Sequence, residues 1–131
     1  MPGDLPLEPG READALVARK IFGLEVERGL DGPLVVEPAA GGVAARPRSV
    51  SAPDAYTTED RAADEIVRRF GRYEFRAVRA GSEWYVAFGI FAEKEVAPTI
   101  QILAQSVAAT RSLAICEAGL LLAEKLAGES K

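Results

Sequence analysis

Apolar residues recur every three or four positions in three segments of the chain, residues 11–22, 57–70 and 110–128. This spacing is typical of amphipathic helices, whose buried stripe repeats about every 3.6 residues. Threonines stand where the second and third segments begin, and a threonine side chain commonly caps the first amides of a helix. The pattern predicts three helices, the second capped by Thr57 with Asp60 or by Thr58 alone, and the third capped by Thr110.

Between the second and third predicted helices the apolar residues alternate with a period of two. Residues 73–79 and 83–91 indicate two strands joined by a tight turn at Ala80 and Gly81, and residues 99–108 supply a third strand. Both faces of the second strand are apolar, so we expect it to lie centrally in a sheet that is covered on both sides. A further small hairpin is predicted around Gly32.

These elements predict an α+β fold in which a small antiparallel sheet of three to four strands lies between helices, as an α/β/α sandwich. The 131 residues suit one domain, since domains commonly have about 100–150 residues. Residues 1–10 contain three prolines and two glycines, which predicts a flexible arm. We expect residues 11–128 to form the domain, with a long loop at residues 38–53, where glycine, proline and alanine are frequent.

The residue types that are missing restrict the chemistry. The chain has no histidine and one cysteine, Cys116, which excludes Ser-His-Asp and Cys-His mechanisms, histidine zinc sites and an internal disulfide. Cys116 shares a helical stripe with Leu113 and Leu120, a pattern typical of a buried structural cysteine. We therefore expect a protein that is not an enzyme and that uses no metal and no cofactor. No apolar run is long enough to span a membrane and no signal peptide is evident, so we expect a cytoplasmic protein.

Arginine side chains provide the candidate binding chemistry, because the chain has twelve arginines and only four lysines. Arginine forms paired hydrogen bonds with phosphate and stacks on aromatic rings, so arginines beside aromatic residues are suited to a nucleotide. The net charge of −4 argues against a nucleic-acid polymer as partner. The alternative is that the arginines are solvated or form ion pairs and that the aromatic residues belong to the core. The candidate ligand-binding residues are Arg72, Arg76, Arg79, Trp84, Tyr85 and Tyr56, with Arg46 and Arg48 on the long loop.

Four segments resemble, in order, the phage ABA-sandwich domain family, whose members are small phage or prophage proteins of unassigned function. These segments are "READALVARKIFG", "DAYTTEDRAADEIV", "EWYVAFG" and "RSLAICEAGLLLA". The resemblance covers roughly residues 11–126, except for the region 26–50. It implies a helix–sheet–helix sandwich and a phage setting, and it supplies no catalytic residues.

Together, these observations favour an oligomeric phage accessory protein that sequesters a small anionic nucleotide-type signal of host antiviral defence. The alternatives are a protein–protein interaction module that blocks or scaffolds a host or phage protein and, third, a carboxylate-dependent hydrolase. The last predicted helix has a second apolar stripe that includes a glycine, where another backbone could approach closely. We therefore expect a homo-oligomer assembled through four residues of this helix, Ile115, Gly119, Leu122 and Leu126.

Overall fold

The computed structural model describes residues 7–30, 32–37, 49–92 and 99–129. The helices and strands of these residues follow the order α1 (Arg11–Lys20), β1 (Glu25–Gly29), β2 (Gly32–Glu37), β3 (Ser49–Ser51), α2 (Asp60–Arg69), β4 (Glu74–Ala80), β5 (Glu83–Ala92), β6 (Thr99–Ala108) and α3 (Arg111–Glu129). The strands form two antiparallel sheets, a first sheet with the order β1–β2–β3 and a second sheet with the order β4–β5–β6. The predicted α+β fold is confirmed, with two small antiparallel sheets where one sheet of three to four strands was predicted.

The first sheet contains the predicted hairpin and one strand that the sequence did not indicate. β1 and β2 pair directly, and β3 adds to the free edge of β2 through residues 49–51. These three residues fall inside the predicted long loop, 38–53, so the loop prediction is wrong for them. Residues 38–48 lie outside the described part of the chain.

The segment before α1 is held against the core by two long-range hydrogen bonds. Leu7 is buried, and its backbone N–H donates to Oε2 of Glu117 at 2.9 Å. The backbone N–H of Gly10 donates to the hydroxyl of Thr57 at 3.0 Å. The predicted flexible arm is therefore wrong for residues 7–10, while residues 1–6 lie outside the described residues.

Thr57 joins α1 to the start of α2 instead of capping α2. Both its hydroxyl and its backbone N–H donate to Oδ1 of the buried Asp14, at 2.7 and 2.8 Å. The residue at the N-cap position of α2 is Glu59, which makes no side-chain capping bond. The predicted caps at the start of α2 are therefore wrong. The cap of α3 is confirmed, because the Thr110 hydroxyl accepts the Leu113 N–H at 3.2 Å.

Helix α3 lies at the centre of the molecule, and residues 112–120 are all buried. One side of α3 packs on β5 and β6, while other sides contact α2 and α1; α1 in turn packs on β1 and β2. The Phe70 ring at the end of α2 contacts the Phe88 ring of β5, on the sheet face that α3 covers. The layers therefore run from the first sheet through the helices to the second sheet. Among the described residues, no helix is long and apolar enough to cross a membrane.

The burial of α3 corrects the predicted oligomer interface. Ile115 and Leu122 are fully buried within the chain itself. A Cβ added to Gly119 would lie 2.8 Å from Cγ2 of Ile66, so the space beside this glycine is already filled by a side chain from α2 of the same chain. Leu126 is half-buried and packs against the same core. Self-association itself stays a prediction, but this stripe cannot be its interface because it is already covered.

The two glycines of α3 give a matched test of this packing. We expect Gly119→Ala to lower the free energy of unfolding by about 1–2 kcal/mol, because overpacking costs about 1–3 kcal/mol and alanine returns up to about 1 kcal/mol of helix propensity. Gly128→Ala is the control, because a Cβ there would meet no atom within 4 Å. Chemical denaturation followed by circular dichroism measures both. Equal stability of the two variants would contradict the tight α2–α3 contact.

Cys116 gives a second test, because it lies in the buried part of α3. Burial, with smaller contributions from the Asp14 and Glu117 carboxylates, raises the pKa of the Cys116 thiol. The thiolate is the reactive form, so we expect the folded protein to resist alkylation at mildly alkaline pH and the denatured protein to react fully. Mass spectrometry after iodoacetamide treatment measures the labelled fraction. Rapid labelling of the folded protein would show that α3 opens easily.

Candidate functional site

One face of the second sheet is turned away from the helices, and we call it the open face. Residues that pair directly on neighbouring strands share a face of a sheet, so the strand register identifies its members. β4 contributes Glu74, Arg76 and Val78; β5 contributes Tyr85, Ala87, Gly89 and Phe91; β6 contributes Ile100, Ile102, Gln105 and Val107. β5 is central, as predicted, and α3 covers the face of β5 that carries Val86 and Phe88.

A β-bulge in β6 determines which residues reach the open face. The register steps from Phe88 opposite Ala104 to Gly89 opposite Ile102, which leaves Leu103 as an extra residue. An extra residue reverses the alternation of side chains along a strand. Ile102 therefore lies on the same face as the side chains beyond the bulge, although strict alternation along the strand would place it on the other face. A Cβ at Gly89 would lie 2.5 Å from the Gln101 carbonyl oxygen, so the close strand approach here requires glycine.

Large apolar side chains of the open face are exposed to solvent. The exposed fractions are 46% for Val78, 53% for Phe91, 43% for Ile100, 48% for Ile102 and 51% for Val107. Single exposed apolar residues are common on protein surfaces, but a group of them on one flat face typically marks a binding surface. The prediction that β5 would be covered on both sides is therefore not met by the described helices.

A depression of about 270 Å³ lies in the middle of the open face. Its floor is formed by the two small residues of β5, Ala87 and Gly89, and Tyr85 lies at one end. Glu74 and Arg76 of β4 flank one side. Ile100 and Ile102 of β6 flank the other side. Small-molecule pockets commonly have volumes from about 300 Å³ upward, so the depression lies just below this range.

The polar groups around the depression differ in how they are paired. The Tyr85 hydroxyl donates to Oε1 of Gln105 at 2.6 Å, which orients both side chains across β5 and β6. Arg76 is exposed, and among the described residues its guanidinium has no carboxylate within salt-bridge distance. A free guanidinium beside an apolar surface is available for a carboxylate or a phosphate group.

The other arginines of the predicted cluster point elsewhere. Arg79 directly follows Val78 and therefore lies on the opposite face of β4, where its Nε donates to the Gly81 carbonyl at 3.3 Å. Arg72 lies in the turn before β4 and donates to the Tyr73 hydroxyl at 2.8 Å. The structure therefore does not bring these two predicted residues together with Arg76 at the depression.

The remaining predicted residues are also separated from the depression. Trp84 pairs with Arg79 on the covered face and packs against the core. Tyr56 is buried and stacks on Phe22, with ring centroids 5.2 Å apart, and burial raises the pKa of its phenol to about 12. Neither side chain lines the depression, so the structure does not bring these two predicted residues to it. Arg46 and Arg48 lie outside the described residues. Of the predicted residues that the structure describes, only Arg76 and Tyr85 share the open face.

Two further places offer polar side chains. A groove of about 460 Å³ lies between α1 and the first sheet, where Arg28 forms a salt bridge with Glu12 at 2.6 Å. The two buried carboxylates each accept two hydrogen bonds: Asp14 from Thr57, and Glu117 from the Leu7 N–H and from the Ser106 hydroxyl at 2.9 Å. In the described part of the chain, no group of three or more metal-ligating side chains could hold a metal ion.

The apolar members of the open face were missed at the level of sequence. The alternation predicts only that Phe91, Ile100 and Ile102 lie in strands, because it does not show which face of the sheet a helix covers. The repeated isoleucines of "TIQILAQSVA" were a usable signal, since the alternation breaks at Leu103.

The comparison with known proteins adds no family: no protein-family model, no curated protein and no solved structure matches this chain. The resemblance to the phage ABA-sandwich domain family therefore stays a prediction.

Proposed function

We propose that this chain is a binding protein whose open face holds a small anionic ligand with a planar ring, such as a nucleotide. One observation supports this proposal most strongly. An exposed arginine, Arg76, and a tyrosine, Tyr85, flank a depression whose floor, Ala87 and Gly89, is made of small residues. Proteins hold nucleotides by combining charge-assisted bonds to phosphate with stacking or apolar contact to the base.

Each side of the depression supplies one part of this recognition. Arg76 provides a planar guanidinium for the phosphate, and Ile100 and Ile102 provide apolar contact for the face or edge of a ring. Glu74 is suited to accept hydrogen bonds from an amino group on the ring edge. The proposal is one of binding, and it requires no reacting group in the chain.

The biological setting comes from the resemblance to the phage ABA-sandwich domain family. A nucleotide-type signal of host antiviral defence is therefore the first ligand class to test, and the chain would act by sequestering it. Cyclic dinucleotides and ADP-ribose derivatives contain both bases and phosphates. The depression offers an apolar surface for a base and a guanidinium for a phosphate.

A protein partner is the second candidate, favoured by the exposed apolar side chains of the open face. Phe91 and Val107 lie outside the depression and are about half exposed, so a small ligand in the depression would leave them uncovered. Aromatic and aliphatic side chains of this kind form the centres of protein interfaces. A protein would cover the whole face and not only its middle.

Arg76 and Arg79 form a matched pair for testing the proposal, because they lie on the same strand and on opposite faces. We expect a nucleotide at about 100 times its Kd to stabilise the protein by about 2.7 kcal/mol, seen as a higher Tm in a thermal-shift assay. Arg76→Ala should weaken binding about tenfold or more, since a hydrogen bond to a charged group contributes about 1.5–3 kcal/mol. Arg79→Ala should bind as the unchanged protein does.

The outcomes separate the candidate functions. No thermal shift with any cyclic dinucleotide or ADP-ribose derivative would overturn the proposal, and so would equal losses in the two arginine variants. Chromatography of the nucleotide after incubation tests for catalysis, because a binding protein returns the ligand intact. Recovery of a cleaved product would favour the carboxylate-dependent hydrolase instead.

A further inference from the structure

We infer that the open face is the interface between two copies of this chain, stacked sheet on sheet about a two-fold axis. The large apolar side chains of the open face are about 43–53% exposed, and the described helices all lie on the other side of the sheet. Two sheets that pack face to face lie about 10 Å apart and bury such side chains between them. The arrangement of residues on the open face favours a second copy of this chain as the partner that covers it.

The open face consists of four rows of residues that cross the strands. From one end to the other, the rows are Val78–Tyr85–Val107, then Arg76–Ala87–Gln105, then Glu74–Gly89–Ile102, and last Phe91–Ile100. The two end rows are apolar, and the two middle rows carry the charges. If a second copy lies over the first with the order of its rows reversed, the apolar end rows face each other. Each charged middle row then faces the other charged middle row.

A two-fold axis that crosses the strands between the second and third rows performs this reversal. It sets each strand antiparallel over its own copy, as an isologous interface requires. Arg76 then lies over Glu74 of the partner subunit, and by symmetry this contact occurs twice. Val107 lies over Ile100 of the partner subunit, and Tyr85 lies over Phe91 of the partner subunit. The same face thus supplies both halves of every contact.

The charges favour this arrangement over a random stacking of two copies. The chain carries a net charge of −4, so two copies repel each other over most of their surfaces. The open face has one arginine and one glutamate, and its own charge is therefore balanced. A two-fold axis along the strands would instead place Arg76 over Gln105 of the partner subunit and Glu74 over Ile102 of the partner subunit. Only the axis that crosses the strands pairs the opposite charges, which selects the antiparallel orientation.

The size of the face is consistent with a small specific interface. With ten residues in β5 and three strands, the face is about 33 Å long and about 14 Å wide, a flat footprint on the order of 450 Å². Exposed side chains add area to this footprint, which brings it close to the roughly 600 Å² per partner of the smallest specific interfaces. We therefore expect a reversible dimer whose population depends on concentration.

The dimer would also cover the depression of each copy. The two depressions face each other across the axis, and Arg76 pairs with Glu74 of the partner subunit, so a bound phosphate would have to displace that pair. This consequence rests on the proposed function, whereas the interface itself does not. It predicts that nucleotide binding and dimerisation weaken each other, because both use the same guanidinium.

Sedimentation velocity of the full chain over a range of concentrations, without ligand, tests the interface. We expect a monomer–dimer equilibrium that Val107→Glu shifts to monomer throughout the range. Leu30→Glu is the matched control, because Leu30 is a fully exposed apolar residue in the turn between β1 and β2, and it should leave the dimer unchanged. Circular dichroism confirms that both variants are folded.

A charge exchange tests the orientation and distinguishes a second copy from an unrelated protein. Glu74→Arg alone and Arg76→Glu alone should each weaken the dimer at least tenfold, since each places like charges opposite one another twice. The double variant Glu74→Arg with Arg76→Glu should recover the dimer, because the exchanged charges again face each other. Failure of this recovery while the single variants remain folded would overturn the proposed orientation.

The remaining outcomes also decide the inference. A monomer at every concentration would overturn it, as would a dimer that Val107→Glu leaves intact or an open series of larger assemblies. A dimer whose dissociated copies bind no nucleotide would support the interface and overturn the proposed function. Nucleotide binding by a chain that remains monomeric would support the proposed function and overturn the interface.

Discussion

The enclosure of α3 is the constraint on which the rest of the structure depends. Residues 112–120 are buried on every side, so this helix needs covering by the sheet on one side and by two helices on the others. Small residues make this close contact feasible, and Gly119 admits the Ile66 side chain of α2 where a Cβ would clash. Because the helices gather around α3, they lie on one side of the second sheet. The other side is left as the open face.

Two buried carboxylates fasten the outer segments to this centre. Asp14 holds Thr57 at the start of α2, and Glu117 of α3 holds both the Leu7 N–H and the Ser106 hydroxyl. Buried acids of this kind are stable only when their oxygens accept hydrogen bonds, and these acids do. These carboxylates therefore stabilise the fold and are not available to bind a ligand. The open face is the more suitable place for binding.

Prediction from sequence succeeded where the spacing of side chains depends on local backbone geometry. The alternation of residues 73–91 located β4, the turn at Gly81 and β5, and Thr110 correctly marked the beginning of α3. It failed for Thr57, whose hydroxyl was expected to cap α2 and instead bonds Asp14, forty-three residues away in the chain. A threonine before a helix looks the same in both cases, because the distant partner is not visible in the local pattern.

The sequence by itself determined the types and order of the predicted elements, the absence of histidine chemistry and the presence of arginines near aromatic residues. Only the tertiary structure decided which of these residues meet. Alternation along β4 and β5 sends Arg76 and Tyr85 to one face and Arg79 and Trp84 to the other, and packing on α3 decides which face is covered. The bulge at Leu103 then adds Ile100 and Ile102 to the open face. Such outcomes depend on contacts between distant segments, whereas periodicity reports only the conformation of each segment.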